Sequence, residues 1–216
     1  MLQRIKSYLS TKNRKKKFGL AMTYIKPGDE IIDIGVDPCI NGNVNYFEKW
    51  FQGPNKLTCL GLNKDFSSFK AAFPHVDLIL FDGMDFSQIT NRFDFAISNA
   101  VIEHVGDYEK QKRWLQEISK ITKLLFITTP NKYSPVDAHT STFFIHWLPD
   151  NARDFIYRKL GLEWAAKDYM WLLSQGKFRK ILEEANFEIL KIVKNKFLFF
   201  TIDSVIIAKS RYIEKE

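Results

Sequence analysis

Short apolar runs bounded by charged or turn-forming residues recur along the chain, with stretches of helical spacing between them. The first run is Glu30-Ile31-Ile32-Asp33-Ile34-Gly35-Val36-Asp37, an apolar core that ends in an acid and a glycine. It reads as a fully buried strand, roughly Glu30 to Ile34, reaching its carboxyl end before a loop. Leu57 to Leu62, Val76 to Phe81, Phe93 to Ser98 and Leu124 to Thr129 repeat the pattern, and Pro130 closes the last. Strands of this kind separated by helical segments predict a mostly parallel sheet.

Residues 1–25 have a helical pattern, with Leu20, Tyr24 and Ile25 as packing positions before Pro27-Gly28 breaks it. Asn45 is placed to cap a helix bearing Tyr46, Phe47, Trp50 and Phe51; Asp107 is placed to cap one whose Trp114, Leu115, Ile118 and Ile121 share a face. Asp65 to Phe73 reads as a short helix. Two further helices are predicted near 151–160 and 168–185, the second with Trp171, Leu172, Phe178, Ile181, Leu182 and Ala185 on one side. Asn186 suits the left-handed residue that often ends a helix.

Phe187 to Val193 and Leu198 to Ala208 are two strands joined by Lys194-Asn195-Lys196. So short a link excludes a crossover and makes the pair antiparallel. The fold class is α/β: a doubly wound, seven-stranded, mostly parallel sheet closing in a C-terminal antiparallel hairpin. From Asn131 to about Asp150 the chain has no period, which in a compact domain usually marks a lid or substrate loop. The expected organisation is a basic helical segment at 1–26 and one α/β domain at 27–216, with a loop or lid over 131–170.

Charge adds to this picture. There are 32 Lys and Arg against 25 Asp and Glu, a formal +7, and part of the excess lies in Lys12-Asn13-Arg14-Lys15-Lys16-Lys17. That balance suits an anionic partner such as a phosphate, an acidic membrane surface or nucleic acid, although a solvated helix face gives the same pattern. Cys39 and Cys59, the only cysteines, make neither a disulfide framework nor a metal cluster and fit a reducing cytoplasm. The basic N-terminus is not followed by a signal-like apolar stretch, and no run approaches bilayer length. A cytoplasmic location is the expectation.

Two nucleotide-binding patterns are absent. No Gly-rich loop ends in Lys-Ser/Thr, and Gly35 is followed by Val36, Asp37 and Pro38 rather than by the spaced glycines of a dinucleotide fingerprint. The second strand also lacks a terminal acid for ribose hydroxyls, since Leu60-Gly61-Leu62 leads to Asn63.

The chain resembles the class I S-adenosylmethionine-dependent methyltransferases over about Pro27 to Ser210. The resemblance is carried by Ile31-Ile32-Asp33-Ile34-Gly35, by Phe81-Asp82-Gly83-Met84-Asp85, by the segment Phe93 to Val105 containing Ser98-Asn99-Ala100-Val101-Ile102-Glu103-His104, and by Ile181 to Phe187. Thr129-Pro130-Asn131-Lys132-Tyr133, His139-Thr140 and His146-Trp147-Leu148-Pro149 are similar to a small bacterial subgroup, methyltransferase type 11-like, often associated with cell-surface polysaccharide pathways. The resemblance implies S-adenosyl-L-methionine as cofactor. It places Asp33 and Gly35 at the methionine end, Asn63 at the ribose with Asp65 as substitute, Asp82 at the adenine amine, Gly83 and Met84 along the ring, and Ser98 and Asn99 on the fourth strand. The chain departs from the family where Asp37 and Cys39 replace glycines and where Asn63 replaces a carboxylate.

A sulfonium cofactor brings an activated methyl group, so the protein has chiefly to align an acceptor and take its proton. Histidine suits that task, and His104 or His139 is the expected base, with Glu103 bracing the loop. Tyr133, His146 and Trp147 are expected to wall the substrate pocket. Some O-methyltransferases carry Glu-x-x-Glu-His and a divalent ion; here Ala100 takes the first glutamate position, so no metal is expected. The leading reading is O-methylation of a small molecule, sugar, or glycan- or lipid-linked intermediate, with peripheral contact to an anionic membrane. RNA methylation is the alternative enzyme reading, disfavoured by the lack of an RNA-binding appendage, and a non-catalytic binding protein on this fold is the third. The sequence does not fix an oligomeric state.

Overall fold

The computed structural model describes residues 2–42, 44–137, 139–166 and 170–213. Helix α1 spans Leu2–Met22, and strand β1 (Ile31–Val36) opens the sheet. There follow α2 (Tyr46–Trp50), β2 (Leu57–Leu62), α3 (Ser67–Ala72), β3 (Asp77–Phe81) and β4 (Phe93–Asn99). The second half holds α4 (Tyr108–Ile121), β5 (Thr122–Pro130), α5 (Asp150–Lys159), α6 (Gln175–Glu184), β6 (Phe187–Phe197) and β7 (Phe200–Ser210). The seven-stranded sheet has the order β3-β2-β1-β4-β5-β7-β6. No described helix is long and apolar enough to cross a membrane.

The chain forms two compact units. The first comprises 1–98 and 121–126, the second 99–120 and 127–216. In the first, β1 pairs in parallel with β2 and with β4, and β2 with β3. Parallel pairing brings the carboxyl ends of all four strands to one edge, so the turns after Val36, Leu62 and Phe81 lie along it. Ile31, Ile32, Ile34, Cys59, Leu60, Phe95 and Ala96 are fully buried, as expected for strands covered on both faces. Phe18 of α1 packs on Phe47 and Trp50 of α2 with ring centroids 5.5 and 5.9 Å apart. Gly61 has no room for a side chain, because a Cβ there would enter the ring of Phe66.

In the second unit, Trp114, Leu115 and Ile118 of α4 are buried as their spacing predicts, and Asp107 Oδ1 accepts the Lys110 N–H at 2.9 Å to cap the helix. Strands β6 and β7 form the expected antiparallel hairpin, and Asn186 is left-handed at φ 66°.

Three expectations are corrected. The hairpin does not turn at Lys194-Asn195-Lys196, which lie inside β6; it turns at Leu198 and Phe199, with Leu198 at φ 53°. The helix expected over 168–185 begins at Gln175, where Ser174 supplies the cap by accepting from Lys177 N–H. Trp171 and Leu172 therefore precede the helix, and 168–169 lie outside the described residues. Asn45 precedes α2 but makes no side-chain cap bond; its amide is engaged elsewhere.

Candidate functional site

In the first unit, the β1 edge is shaped by Gly35. It sits at φ 93°, its exposure marks the rim, and the β1–β2 register shifts beside it. Such a backbone suits glycine and leaves main-chain atoms open to a ligand. Beyond it, the loop that carries Asp37 and Cys39 is clasped by Asn45. The Asn45 amide accepts the Asp37 N–H at 2.9 Å and donates to the carbonyls of Asp37 and Cys39 at 2.8 and 3.0 Å. Asp37 Oδ1 in turn accepts the Cys39 N–H at 2.7 Å. Side-chain bonds thus do the holding that a glycine-rich turn does with backbone alone.

Asp33 is buried in register with Cys59 and Ile97, and its carboxyl is hydrogen-bonded to Glu48 of α2. Cys59 Sγ donates to Glu48 Oε1 at 3.3 Å. Burial first, and then the neighbouring Glu48 charge, push the Asp33 carboxyl well above the usual carboxylate range. Burial also raises Glu48, against the lowering effect of the Asp33 bond. Two carboxyls in an apolar surround hold one proton between them more readily than two charges, and we place it on Asp33. Glu48 was not singled out from the sequence, where it is one acid among aromatic residues. Its significance comes from the register that sets Asp33 beside Cys59.

The other expected cofactor residues of this unit follow the same edge. Asn63 is exposed just past β2, its N–H donating to Phe81 O at 3.0 Å. Asp82 is exposed after β3, and its Oδ1 accepts the N–H groups of Met84 and Asp85, both at 2.7 Å. Gly83 has φ 99°, and a Cβ there would meet Leu62 Cδ2 at 2.9 Å. Met84 is 36% exposed. Ser98 is fully buried at the end of β4, its hydroxyl without a hydrogen-bond partner among the described residues. Asp65 accepts the N–H and hydroxyl of Ser67, bonds that hold its pKa down and commit it to the start of α3. Open glycine backbone, an exposed acid and amide, and an orphaned hydroxyl along one strand edge fit a polar, ring-bearing nucleoside cofactor.

The second unit gathers the expected catalytic residues. Ala100, at φ 58°, donates its N–H to Thr128 O at 3.0 Å, and Asn99 Oδ1 accepts from the Thr128 hydroxyl at 2.9 Å. A 3-10 turn, Ile102–His104, then presents Glu103 inward and His104 outward. Glu103 is fully buried, with Oε2 accepting from the Thr129 hydroxyl at 3.0 Å. His104 and His139 meet edge to face, their Nε2 atoms 3.2 Å apart, one donating to the other. Glu103 Oε1 lies 4.0 Å from His139 Nε2.

His139 is positioned by Asp137, which the sequence reading did not select. Asp137 Oδ1 accepts the His139 N–H at 2.8 Å and lies 3.9 Å from its Nδ1, while Oδ2 accepts from the Tyr157 hydroxyl at 3.1 Å. His146 is buried, with Nε2 2.9 Å from Ser134 O, and burial lowers its pKa; it is a neutral wall residue at pH 7. Trp147, 41% exposed, donates to the same carbonyl at 3.1 Å, and Tyr133 is 59% exposed. A cleft of about 330 Å³ in this unit is lined by Tyr108, Lys132, Trp147, Arg153, Trp171 and Lys177, among others. Its wall is tied to the histidine turn, since Trp171 N–H donates to Glu103 O at 2.8 Å and Gln111 Nε2 bridges Ile102 O and Trp171 O.

Comparison with known proteins places this architecture. A family model described as a methyltransferase domain matches residues 7–192. A SAM-dependent methyltransferase from Methanosarcina mazei superposes with a TM-score of 0.56 at 15% identity, over 88% of this chain and 96% of that one. A TehB-like SAM-dependent methyltransferase from Corynebacterium glutamicum gives 0.59 at 13% identity, covering 96% and 100%. The N-methyltransferase NodS from Bradyrhizobium japonicum, in complex with S-adenosyl-L-homocysteine, gives 0.60 at 11%, covering 94% and 88%. No curated protein sequence matches the chain.

Proposed function

The chain belongs to the methyltransferase-domain family matched over residues 7–192, and from that premise we propose that it is an S-adenosylmethionine-dependent O-methyltransferase acting on a sugar, or on a glycan- or lipid-linked intermediate of cell-surface polysaccharide synthesis. The observation that carries the oxygen-directed reading is the His104–His139 pair, at 3.2 Å between Nε2 atoms and braced by Glu103 and Asp137.

When bound, the cofactor supplies a methyl group already activated on sulfur. Gly35 would receive its amino-acid end, with the Asp33–Glu48 pair behind; Asn63 would take the ribose; Asp82, Gly83 and Met84 the adenine; Ser98 and Asn99 the fourth-strand side. The acceptor hydroxyl gives its proton to one imidazole of the pair. The second imidazole can pass that proton on, and the Glu103 carboxylate, 4.0 Å from His139, stabilises the resulting imidazolium. Amine acceptors need less of this apparatus, which is why the pair favours a hydroxyl.

The cleft supports an acceptor that offers both a flat face and negative charge. Trp147 and Trp171 provide stacking surface, and Lys132 and Lys177 a basic lining beside Arg153, which is paired with Asp150 at 2.8 Å and Asp154 at 2.9 Å. Support for a lipid-linked acceptor comes from the tip of the β6–β7 hairpin. Leu198 and Phe199 are 75% and 95% exposed there, and Lys191, Lys194 and Lys196 are exposed along β6. Apolar side chains ringed by lysines suit an anionic bilayer surface.

Calorimetry with S-adenosylmethionine and with its demethylated product is the direct test. Saturable one-to-one binding of both is expected, weakened in Asp82→Ala. No heat at millimolar ligand would end the reading.

A further inference from the structure

We propose that Glu103, His104 and His139 form a binding site for one first-row divalent transition metal ion. One ligand atom from each residue lies within 4.8 Å of the others. Tetrahedral zinc holds nitrogen ligands at about 2.05 Å, which sets neighbouring donors about 3.3 Å apart. The two imidazole Nε2 atoms already stand at 3.2 Å. Glu103 Oε1, 4.0 Å from His139 Nε2, needs to close by about 0.7 Å to reach the same spacing. A metal would replace the hydrogen bond between the rings without moving either far.

The surroundings are those of a ligand set. Glu103 is fully buried and its second oxygen is fixed by Thr129, so the carboxylate is aimed rather than mobile. Behind His139 stands Asp137, 3.9 Å from Nδ1 and fastened by the His139 N–H and the Tyr157 hydroxyl. Metal-bound histidines characteristically donate from their other nitrogen to a carboxylate; here Nδ1 is still about 1 Å short of that contact and would close it on binding. His104 is exposed, which leaves room for a further ligand from water or an acceptor oxygen, as catalytic sites do. Two imidazoles and one carboxylate prefer zinc, cobalt, iron or manganese to magnesium or calcium. The sequence argued against a metal because Ala100 offers no donor and His139 is far along the chain; folding supplies the third donor from the loop.

Metal binding itself does not depend on the proposed activity. Its catalytic consequence does: with both Nε2 atoms committed to it, a bound dication would take over from the imidazole base, lowering the pKa of an acceptor hydroxyl at neutral pH.

The test uses the full chain, stripped with chelator and carrying Cys39→Ser so that the exposed thiol does not compete. Cobalt(II) is titrated by visible absorption and zinc(II) by calorimetry. One equivalent is expected, with the d–d bands of a low-coordinate site, unaffected by millimolar magnesium. Uptake should be lost in His104→Ala and in His139→Ala, and weakened about 10–100-fold in Asp137→Asn. No uptake by the parent protein, uptake displaced by magnesium, or unchanged uptake in both histidine variants would each overturn the site. Should a histidine variant fail to fold by circular dichroism, a zinc-dependent rise in the parent's melting temperature decides, and its absence counts against the site. Cofactor calorimetry on the same samples separates the two claims: metal without cofactor binding sinks the methyltransferase reading alone, and cofactor without metal sinks this one alone.

Discussion

Asn45 holds Asp37 from both sides, accepting its N–H at 2.9 Å and donating to its carbonyl at 2.8 Å. The loop after β1 thereby has a shape defined by side-chain bonds. Asn45→Gly tolerates the φ of 49° but has no amide. At about 0.5–1.5 kcal/mol for each neutral bond, and with a partly exposed site, a loss of about 1–2 kcal/mol is expected in urea unfolding. Cofactor affinity by calorimetry should fall as well; an unchanged affinity would show that the clasp does not shape the cofactor edge.

The Asp33–Glu48 pair gives stability a pH dependence of definite sign. Both carboxyls have raised pKa values in the fold, Asp33 strongly, chiefly through burial. Between the ordinary carboxylate range and the raised values the native state binds more protons than the unfolded chain, so stability falls as pH rises through that window. Glu48→Gln keeps the hydrogen bond and removes one buried acid. It should stabilise the protein at pH 8 on the order of 1 kcal/mol, with the advantage shrinking toward pH 4. Denaturant melts across that range check it, and a variant less stable than the parent at pH 8 would contradict the shared-proton account.

Removing a histidine of the pair should separate chemistry from binding. His104→Ala is expected to lower kcat by about 10²–10⁴ while cofactor affinity stays within a factor of about three. Transfer of labelled methyl groups to sugar phosphates and nucleotide sugars gives the readout. Full activity in His104→Ala and in His139→Ala would remove both as base.

Burial of a large apolar side chain contributes about 1.5–3 kcal/mol, so Leu198→Ser with Phe199→Ser should cut sedimentation with anionic vesicles about tenfold or more. Neutral vesicles should bind the parent less than anionic ones, because the lysines of β6 contribute. Equal sedimentation of parent and variant would place any membrane contact elsewhere.

Strand positions were legible because each apolar run is bounded by turn residues or acids: β2 spans Leu57–Leu62 as read, and β1, β3, β4 and β5 shift only at their ends. The hairpin was misplaced for a physical reason. Strand β6 is the sheet's edge, and edge strands tolerate exposed lysines, so Lys194 and Lys196 looked like a loop. Leu198 and Phe199, apolar and at the apex, looked like a strand. The start of α6 was read too early because Trp171 and Leu172 extend its apolar spacing without belonging to it. Among the proposed site residues, Gly35, Asp82 and His104 are suggested by motif. Glu48 and Asp137 are not, since each acts through a partner that only the register of β1 with β2 or the fold of the 131–150 loop brings near.

The order β5-β7-β6 has a consequence for assembly on the ribosome. Strand β7 follows β6 in the sequence yet lies between it and β5, so β6 has no place in the sheet until β7 has emerged. Until then the edge of β5 and the whole of β6 stand unpaired, and Asn131 lacks the partners it finds at Thr201 and Ile202. Completion of the sheet therefore waits on β7, and until it pairs, two strands carry unsatisfied backbone groups at their edges.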